Sequence, residues 1–284
     1  MPVMEEVDLI RRLRRVGRLH RSSLPLETLA RRWGRDGWFR RIGRNWLLAT
    51  LHAAGVNPRH LARRCEGRRR SVVAVLARRP SSGGKKRLFQ SLGIARDAAL
   101  TRALLADTVM AIERVRHVDR ALILTPPENC GEITTHAAWT WLAQRGGDLG
   151  ERMAAAFQDL HRLGYENVVL IGSDLPTLPP AFIARAVHAL RTRRATVVLG
   201  PSADGGYYLI GLRRPADALF QGVSWGTSAV LEQTRRRAQA LGLSVHLLDA
   251  WYDVDDAPSL RRAVRESRAS QTATWWRSRM KEGA

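Results

Sequence analysis

Four short segments bring together residue types that could handle a phosphorylated ligand. In Gly172-Ser173-Asp174-Leu175-Pro176 a carboxylate follows a strongly apolar run and is held by a Gly-Ser turn and prolines at 176 and 179. A charge at the end of a buried strand is expensive unless paired, and a divalent cation that prefers oxygen ligands, Mg²⁺ or Mn²⁺, would pair it. Asp174 could otherwise cap the helix expected from Pro180, but it lies too far ahead for a simple cap. In Asp253-Val254-Asp255-Asp256 three carboxylates within four positions repel one another unless a cation sits among them, and one of them can also cap the helix that follows at Pro258. Asp204-Gly205-Gly206 lies between two strand-like runs and suits a ligand loop or an ordinary hairpin turn. The fourth segment places Gly83 and Gly84 ahead of Lys85, Lys86 and Arg87. Glycines let a backbone approach a ligand closely and successive cations suit a diphosphate, although a basic surface loop has the same composition. Its spacing is neither that of a Walker P-loop nor that of the Gly-x-Gly-x-x-Gly dinucleotide turn.

The elements that must position these segments begin at Ser71. From there apolar runs alternate with amphipathic stretches, the pattern of a mostly parallel sheet covered by helices on both faces. Strands are expected at residues 72–77, 121–125, 167–171, 195–199, 207–211 and 244–248. Helices are expected at 95–116, 150–163, 180–190, 227–241 and 257–267. All four segments then fall after a strand or before a helix, where α/β proteins place their ligands. In the fourth helix Val230, Leu231, Thr234, Ala238 and Leu241 recur at helical spacing, and Arg235, Arg236 and Arg237 form a solvated face.

Composition bounds the rest. The 284 residues carry a formal charge of +21 and 45% hydrophobic residues, enough for a buried core. Only 3 of the 47 basic residues are lysines. That arginine skew is what an Arg-favouring codon composition produces, so it argues against a dedicated nucleic-acid role, although clustered cations do bind polyphosphate. Residues 1–70 hold 18 arginines against 6 acids, and residues 71–284 hold 29 basic against 20 acidic side chains. The shift, with Gly67-Arg68-Arg69-Arg70 at the join, marks a domain boundary. Residues 1–70 read as a small basic helical extension, with helices at 7–19, 26–33, 46–54 and 58–65 and with Trp33, Trp38 and Trp46 as its own core or docking surface. A helix-turn-helix over 26–34 lacks a good second helix, since Gly37 and Gly43 interrupt it. Residues 268–284 are expected to be a loosely packed tail. Cys65 and Cys130 are too few for a disulfide framework, and no apolar run is long enough to span a bilayer or serve as a secretory signal. A reduced, cytoplasmic protein is expected.

In order along the chain stand Lys85/Arg87/Leu88, the Gly-Asp-Leu-Gly-Glu-Arg-Met run at 147–153, Gly-Ser-Asp-Leu-Pro at 172–176, Asp-Gly-Gly-Tyr-Tyr-Leu-Ile-Gly-Leu at 204–212, Trp225/Thr227 and Asp-Val-Asp at 253–255. This ordered set resembles the radical-SAM/selenodomain-associated transferases, commonly described as glycosyltransferases of arsenosugar biosynthesis. The resemblance covers Val72 to about Leu260 and implies a GT-A, nucleotide-diphospho-sugar transferase fold shared with phospholactate guanylyltransferases. Lys86 stands where that family has threonine, adding charge and removing a hydroxyl, and Asp256 stands where it has threonine after Asp-Val-Asp.

By the resemblance, the base would lie near 74–78, with Ala77, Gly172 and Ser173 in the nucleotide site and Lys85 and Arg87 on the diphosphate. Asp174 and Asp255 would share the Mg²⁺ or Mn²⁺ ion. Asp204, Gly205 and Gly206 would meet the sugar or acceptor, Asp148 and Arg152 would order the acceptor-side loop, and Trp225 and Thr227 would complete the substrate site. Asp253 is the candidate general base, and His246 reads as one face of a strand. The leading expectation is a metal-dependent glycosyltransferase that uses a nucleotide sugar and a small-molecule acceptor. The first loop lacks the Gly-x-Gly-x-Arg-Met-Gly pattern of many sugar nucleotidyltransferases, which favours it over a nucleotidyltransferase acting on an NTP. A degenerate transferase domain that binds nucleotide or nucleic acid through a basic arm is the reading from another class; the retained carboxylates argue against it.

Overall fold

The computed structural model describes residues 70–125 and 139–282, the side chains of the last three excepted. The expected helices of residues 1–70 lie outside the described residues, as do Cys65 and Cys130. Among the described residues seven strands form one sheet: β1 (Ser71–Arg78), β2 (Asp119–Thr125), β3 (Trp139–Ala143), β4 (Asn167–Ile171), β5 (Val197–Pro201), β6 (Tyr207–Leu212) and β7 (Val245–Leu247). Their order is β3-β2-β1-β4-β6-β5-β7. All neighbours are parallel except those of β6, which runs antiparallel to β4 and to β5.

The central strands are apolar on both sides because both faces are covered. Along β1, Val73 and Val75 point into one core with Val169 and Ile171 of β4. Val72 and Ala74 point into the other with Val168 and Leu170. Helix α2 (Ala98–Glu113) fills the first core with Leu105, Val109 and Ile112, and α4 (Pro180–Arg191) with Ile183, Val187 and Leu190. Helix α3 (Leu149–Arg162) fills the second with Met153, Ala156, Phe157 and Leu160, spaced for one helical face. Phe157 stacks on Phe220 of a short 3-10 turn at 5.9 Å between ring centroids, and α5 (Val230–Ala240) adds Ala238. The expected α/β class, mostly parallel and covered on both faces, is the fold observed.

Three elements depart from the sequence reading. The edge strand β3 is too short and too tryptophan-rich to show a period. Helix α1 (Lys86–Leu92) starts inside the segment read as a loop, and it buries Leu88 and Phe89 against Leu100 and Leu104 of α2. The tail is not loose: α7 (Gln271–Glu282) packs with α2 and with α6 (Ala257–Glu266). Buried Asp107 of α2 accepts from Gln271 N, Thr272 N and Thr272 Oγ1 at 2.8, 2.8 and 2.6 Å, so it caps α7 from another element. Trp275 Nε1 donates to Asp97 at 2.8 Å. A cap supplied from 164 residues away leaves no local sequence signal. Among the described residues no helix is long and apolar enough to cross a membrane.

Candidate active site

The carboxyl ends of β1, β4 and β5 rise to one side of the sheet, and the loops that leave them meet there. The loop after β1 turns through Gly83 and Gly84, at φ of 111° and 113°, into Lys85 at φ 55°. A left-handed non-glycine costs on the order of 1–2 kcal/mol, so Lys85 is held there by what its side chain gains. Its ammonium donates to Val254 O at 2.6 Å and meets Asp255 Oδ1 at 2.6 Å and Asp174 Oδ2 at 2.8 Å. The lysine side chain is only 10% exposed. Burial opposes its charge, but the Asp174 and Asp255 carboxylates outweigh that and raise its pKa.

The loop after β4 is fixed from below and from the side. Thr108 of α2, fully buried, accepts from Leu175 N at 3.1 Å and lies 3.1 Å from Ser173 O and 2.9 Å from Leu104 O. Ser173 Oγ donates to Asp174 Oδ1 at 3.2 Å. The backbone of Asp174 accepts from Val254 N at 2.9 Å, and Thr177 donates to Tyr252 OH at 2.9 Å. The two acidic loops, some 80 residues apart in the chain, are thus joined through backbone and side chains. Helix α4 begins without a side-chain cap, so Asp174 does not serve it. Asp256 is the helix cap instead: it forms a capping box with Ser259 at the start of α6, which lowers its pKa.

The sequence reading placed a metal between Asp174 and Asp255 and gave Lys85 to the diphosphate. The two carboxylates do meet, but the cation they share in this structure is the Lys85 ammonium, whose three N–H bonds are committed. Among the described residues the carboxylates that converge as a group of three are Asp204, Asp253 and Asp255, with one oxygen from each within 4.8 Å of the others. Asp204 reaches this position because β5 and Trp251 pair through a bridge at Ser202, and because Ser202 Oγ and Gly206 N donate to its Oδ1. Asp253 is pushed up to about 6, first by burial and then by Asp255, with Lys85 only partly offsetting them. Unbalanced negative charge carried on hard oxygen donors fits a divalent cation.

Beside the carboxylates opens a cleft of ≈ 640 Å³. Of the nucleotide residues expected from sequence, Ala77, Lys85, Arg87, Gly172 and Ser173 line it, together with Asp174 and Asp255. Arg78, Lys86 and Arg87 bring exposed cations to its wall. Asp148 and Arg152 line it too and order the loop at its rim. Asp148 caps α3 by accepting from Glu151 N at 2.8 Å, and Arg152 donates to the carbonyls of Gly146 and Gly147.

Four residues expected at the substrate do not line the cleft. Gly205, at φ 86°, lies against Ser228, where a Cβ would come 2.2 Å from its carbonyl oxygen, and its own carbonyl accepts from Leu231 N at the start of α5. Gly206 N serves Asp204. Thr227 Oγ1 closes a local turn with Ser224 O at 2.8 Å. Trp225 packs its indole on Gly150 of α3. Gly205 and Gly206 thus brace the Asp204 loop, and Trp225 packs on α3. Sequence reasoning missed Thr108 and Gln144. Gln144 lines the cleft at the end of β3, and with β3 unread there was no strand end to draw attention to it.

A mostly parallel sheet with carboxylates and cations facing one cleft over its strand ends has the fold of nucleotide-diphospho-sugar transferase-like proteins, and its relatives make the protein a transferase of that class. Within that class the chain belongs to the family described as "Uncharacterized protein conserved in bacteria (DUF2064)", whose model matches residues 108–227. It is similar to a 3-phospho-D-glycerate guanylyltransferase of Phenylobacterium zucineum (strain HLK1), 31% identical over 184 residues, which span 62% of this chain and 81% of the relative. It is also similar to a phosphoenolpyruvate guanylyltransferase of Conexibacter woesei, 26% identical over 212 residues covering 72% and 93% of the two chains. Among solved structures it resembles one from Desulfovibrio desulfuricans G20, described as a candidate nucleotide-diphospho-sugar transferase, at 30% identity and a TM-score of 0.65 over 73% of this chain and 94% of that one.

Proposed function

We propose that the protein is a nucleotidyltransferase that joins the nucleoside monophosphate of an NTP to a small phosphorylated acid and releases pyrophosphate. The observation that carries this reading is the charge layout: exposed Arg78, Lys86 and Arg87 line the same cleft as Asp174 and Asp255. Two anionic substrates must be brought together there, and exposed guanidinium and ammonium groups suit phosphate oxygens. The names of the two guanylyltransferase relatives support it and make GTP, with 3-phospho-D-glycerate or phosphoenolpyruvate, the first combination to test.

In this reaction an acceptor phosphate oxygen attacks the α-phosphorus, and the bond to the bridging oxygen of the β-phosphate breaks. Such an oxygen is already an anion at neutral pH, so no general base is required of the protein. Arg78, Lys86 and Arg87 would hold the triphosphate, and Arg152 with Asp148 would keep the rim loop in place. Asp204, Asp253 and Asp255 would hold a Mg²⁺ or Mn²⁺ ion, which when bound neutralises charge on the phosphates. Lys85 would keep Asp174 and Asp255 in register. The assay is pyrophosphate release from GTP, expected to depend on the phosphorylated acid; release with no acceptor dependence would refute the assignment.

Glycosyl transfer from a nucleotide sugar is the second reading. It is favoured by the motif resemblance to the arsenosugar-associated transferases and by the likeness to the Desulfovibrio protein. Nucleoside diphosphate release from a nucleotide sugar, without pyrophosphate, would put it first.

A further inference from the structure

The side-chain amide of Gln144 is held in one orientation. Its backbone N–H continues the β2–β3 ladder to Leu124 O at 2.8 Å. Its Nε2 donates to Ala77 O at 2.7 Å and to Ile123 O at 3.0 Å. Two carbonyl oxygens can be satisfied only by the NH₂ end of an amide, so the chemistry decides which end faces the sheet. Both Nε2 hydrogens are consumed. Oε1 takes no hydrogen bond from the described residues, and it is left as a spare acceptor on a half-buried side chain that lines the cleft. Leu76, next to the Ala77 carbonyl, and Leu149, 45% exposed, line the same cleft and offer apolar surface to a flat ring.

We propose that Gln144 reads the base of the nucleotide, Oε1 accepting N–H hydrogens from the base's pairing edge. The inference rests on the nucleotidyltransferase reading of the cleft. Guanine presents two neighbouring donors on that edge, N1–H and the N2 amino group. Adenine presents its amino group beside the N1 lone pair, which the same oxygen repels. A fixed acceptor with no hydrogens to give therefore selects guanine, and a site built to hydrogen-bond a substrate group rejects the analogue lacking it.

The test is equilibrium titration of the full chain with GTP, ATP and N1-methylguanosine triphosphate in magnesium buffer, read by calorimetry. GTP is expected to bind at least about tenfold more tightly than either of the others, and Gln144→Met is expected to narrow that preference to about twofold. If Gln144 only ties the strand ends together, the substitution weakens all three alike and leaves the ratios unchanged, which overturns the proposal. Should Gln144→Met fail to fold, the unmodified protein decides alone: N1-methylguanosine triphosphate or ATP binding as well as GTP overturns it. If none of the three binds the unmodified protein, the nucleotide reading itself falls, a result distinct from binding without base preference.

Discussion

Asp253→Asn should stabilise the protein in metal-free buffer, and more so at higher pH. The Asp253 carboxyl titrates at about 6 in the folded chain against a reference of 3.8, because it is largely buried and faces Asp255 and Asp204. The folded state therefore binds the proton more tightly than the unfolded state. The stabilisation from that proton is fully present below about pH 3.8 and is lost as pH rises through about 6. The shift corresponds to about 3 kcal/mol above pH 7, and partial exposure reduces that to roughly 2. Asparagine has the shape of the carboxyl without its charge, so it removes the penalty. For a domain of this size the melting temperature should rise by roughly 4–8 °C at pH 7.5 and by about a third of that at pH 4.5. Differential scanning calorimetry with a chelator present is the assay. A variant less stable than the parent at pH 7.5, or a gain that grows as pH falls, would refute the electrostatic reasoning.

Lys85→Ala strands Asp174, Asp255 and the Val254 carbonyl without their shared donor, and should lower stability by about 3–5 kcal/mol in urea unfolding. Lys85→Gly should recover about 1 kcal/mol of that loss, because the backbone at φ 55° suits glycine. Gly205→Ala drives a methyl into the Ser228 carbonyl and should lower the melting temperature by an amount equivalent to about 2–4 kcal/mol. Thr108→Val leaves Leu175 N without its acceptor and should cost about 1–3 kcal/mol, with Thr108→Ser restoring most of it in the same unfolding assay.

What the sequence revealed followed from local rules. Val168 to Ile171 is apolar at every position because β4 is covered on both faces, and Met153, Phe157 and Leu160 sit on one helical stripe. Asp174 stood out because a charge after such a strand needs a partner, and Asp255 because three acids crowd together. What stayed hidden depends on distant parts of the chain. The partner of Asp174 and Asp255 came from Lys85 because the loop after β1 turns left-handed, and sequence cannot say whether a cation on that loop points outward or back. Asp204 joins Asp253 and Asp255 through long-range contacts such as the pairing of Ser202 with Trp251. Gly205 and Thr227 carried the look of ligand residues, yet the close approach of Ser228 and the turn at Ser224 explain them. Helix α7 looked like a polar end because the carboxylate that caps it, Asp107, lies on α2.

In the proposed reaction this cleft forms a bond between a nucleotide α-phosphorus and the phosphate of a phosphorylated acid. Phosphorus NMR of a mixture of protein, GTP, 3-phospho-D-glycerate and magnesium follows that bond directly. Free pyrophosphate and a new pair of coupled diphosphate resonances are expected, both abolished by Asp255→Asn. An unchanged GTP spectrum across the acceptors tried, alongside nucleoside diphosphate release when a nucleotide sugar replaces GTP, would contradict it.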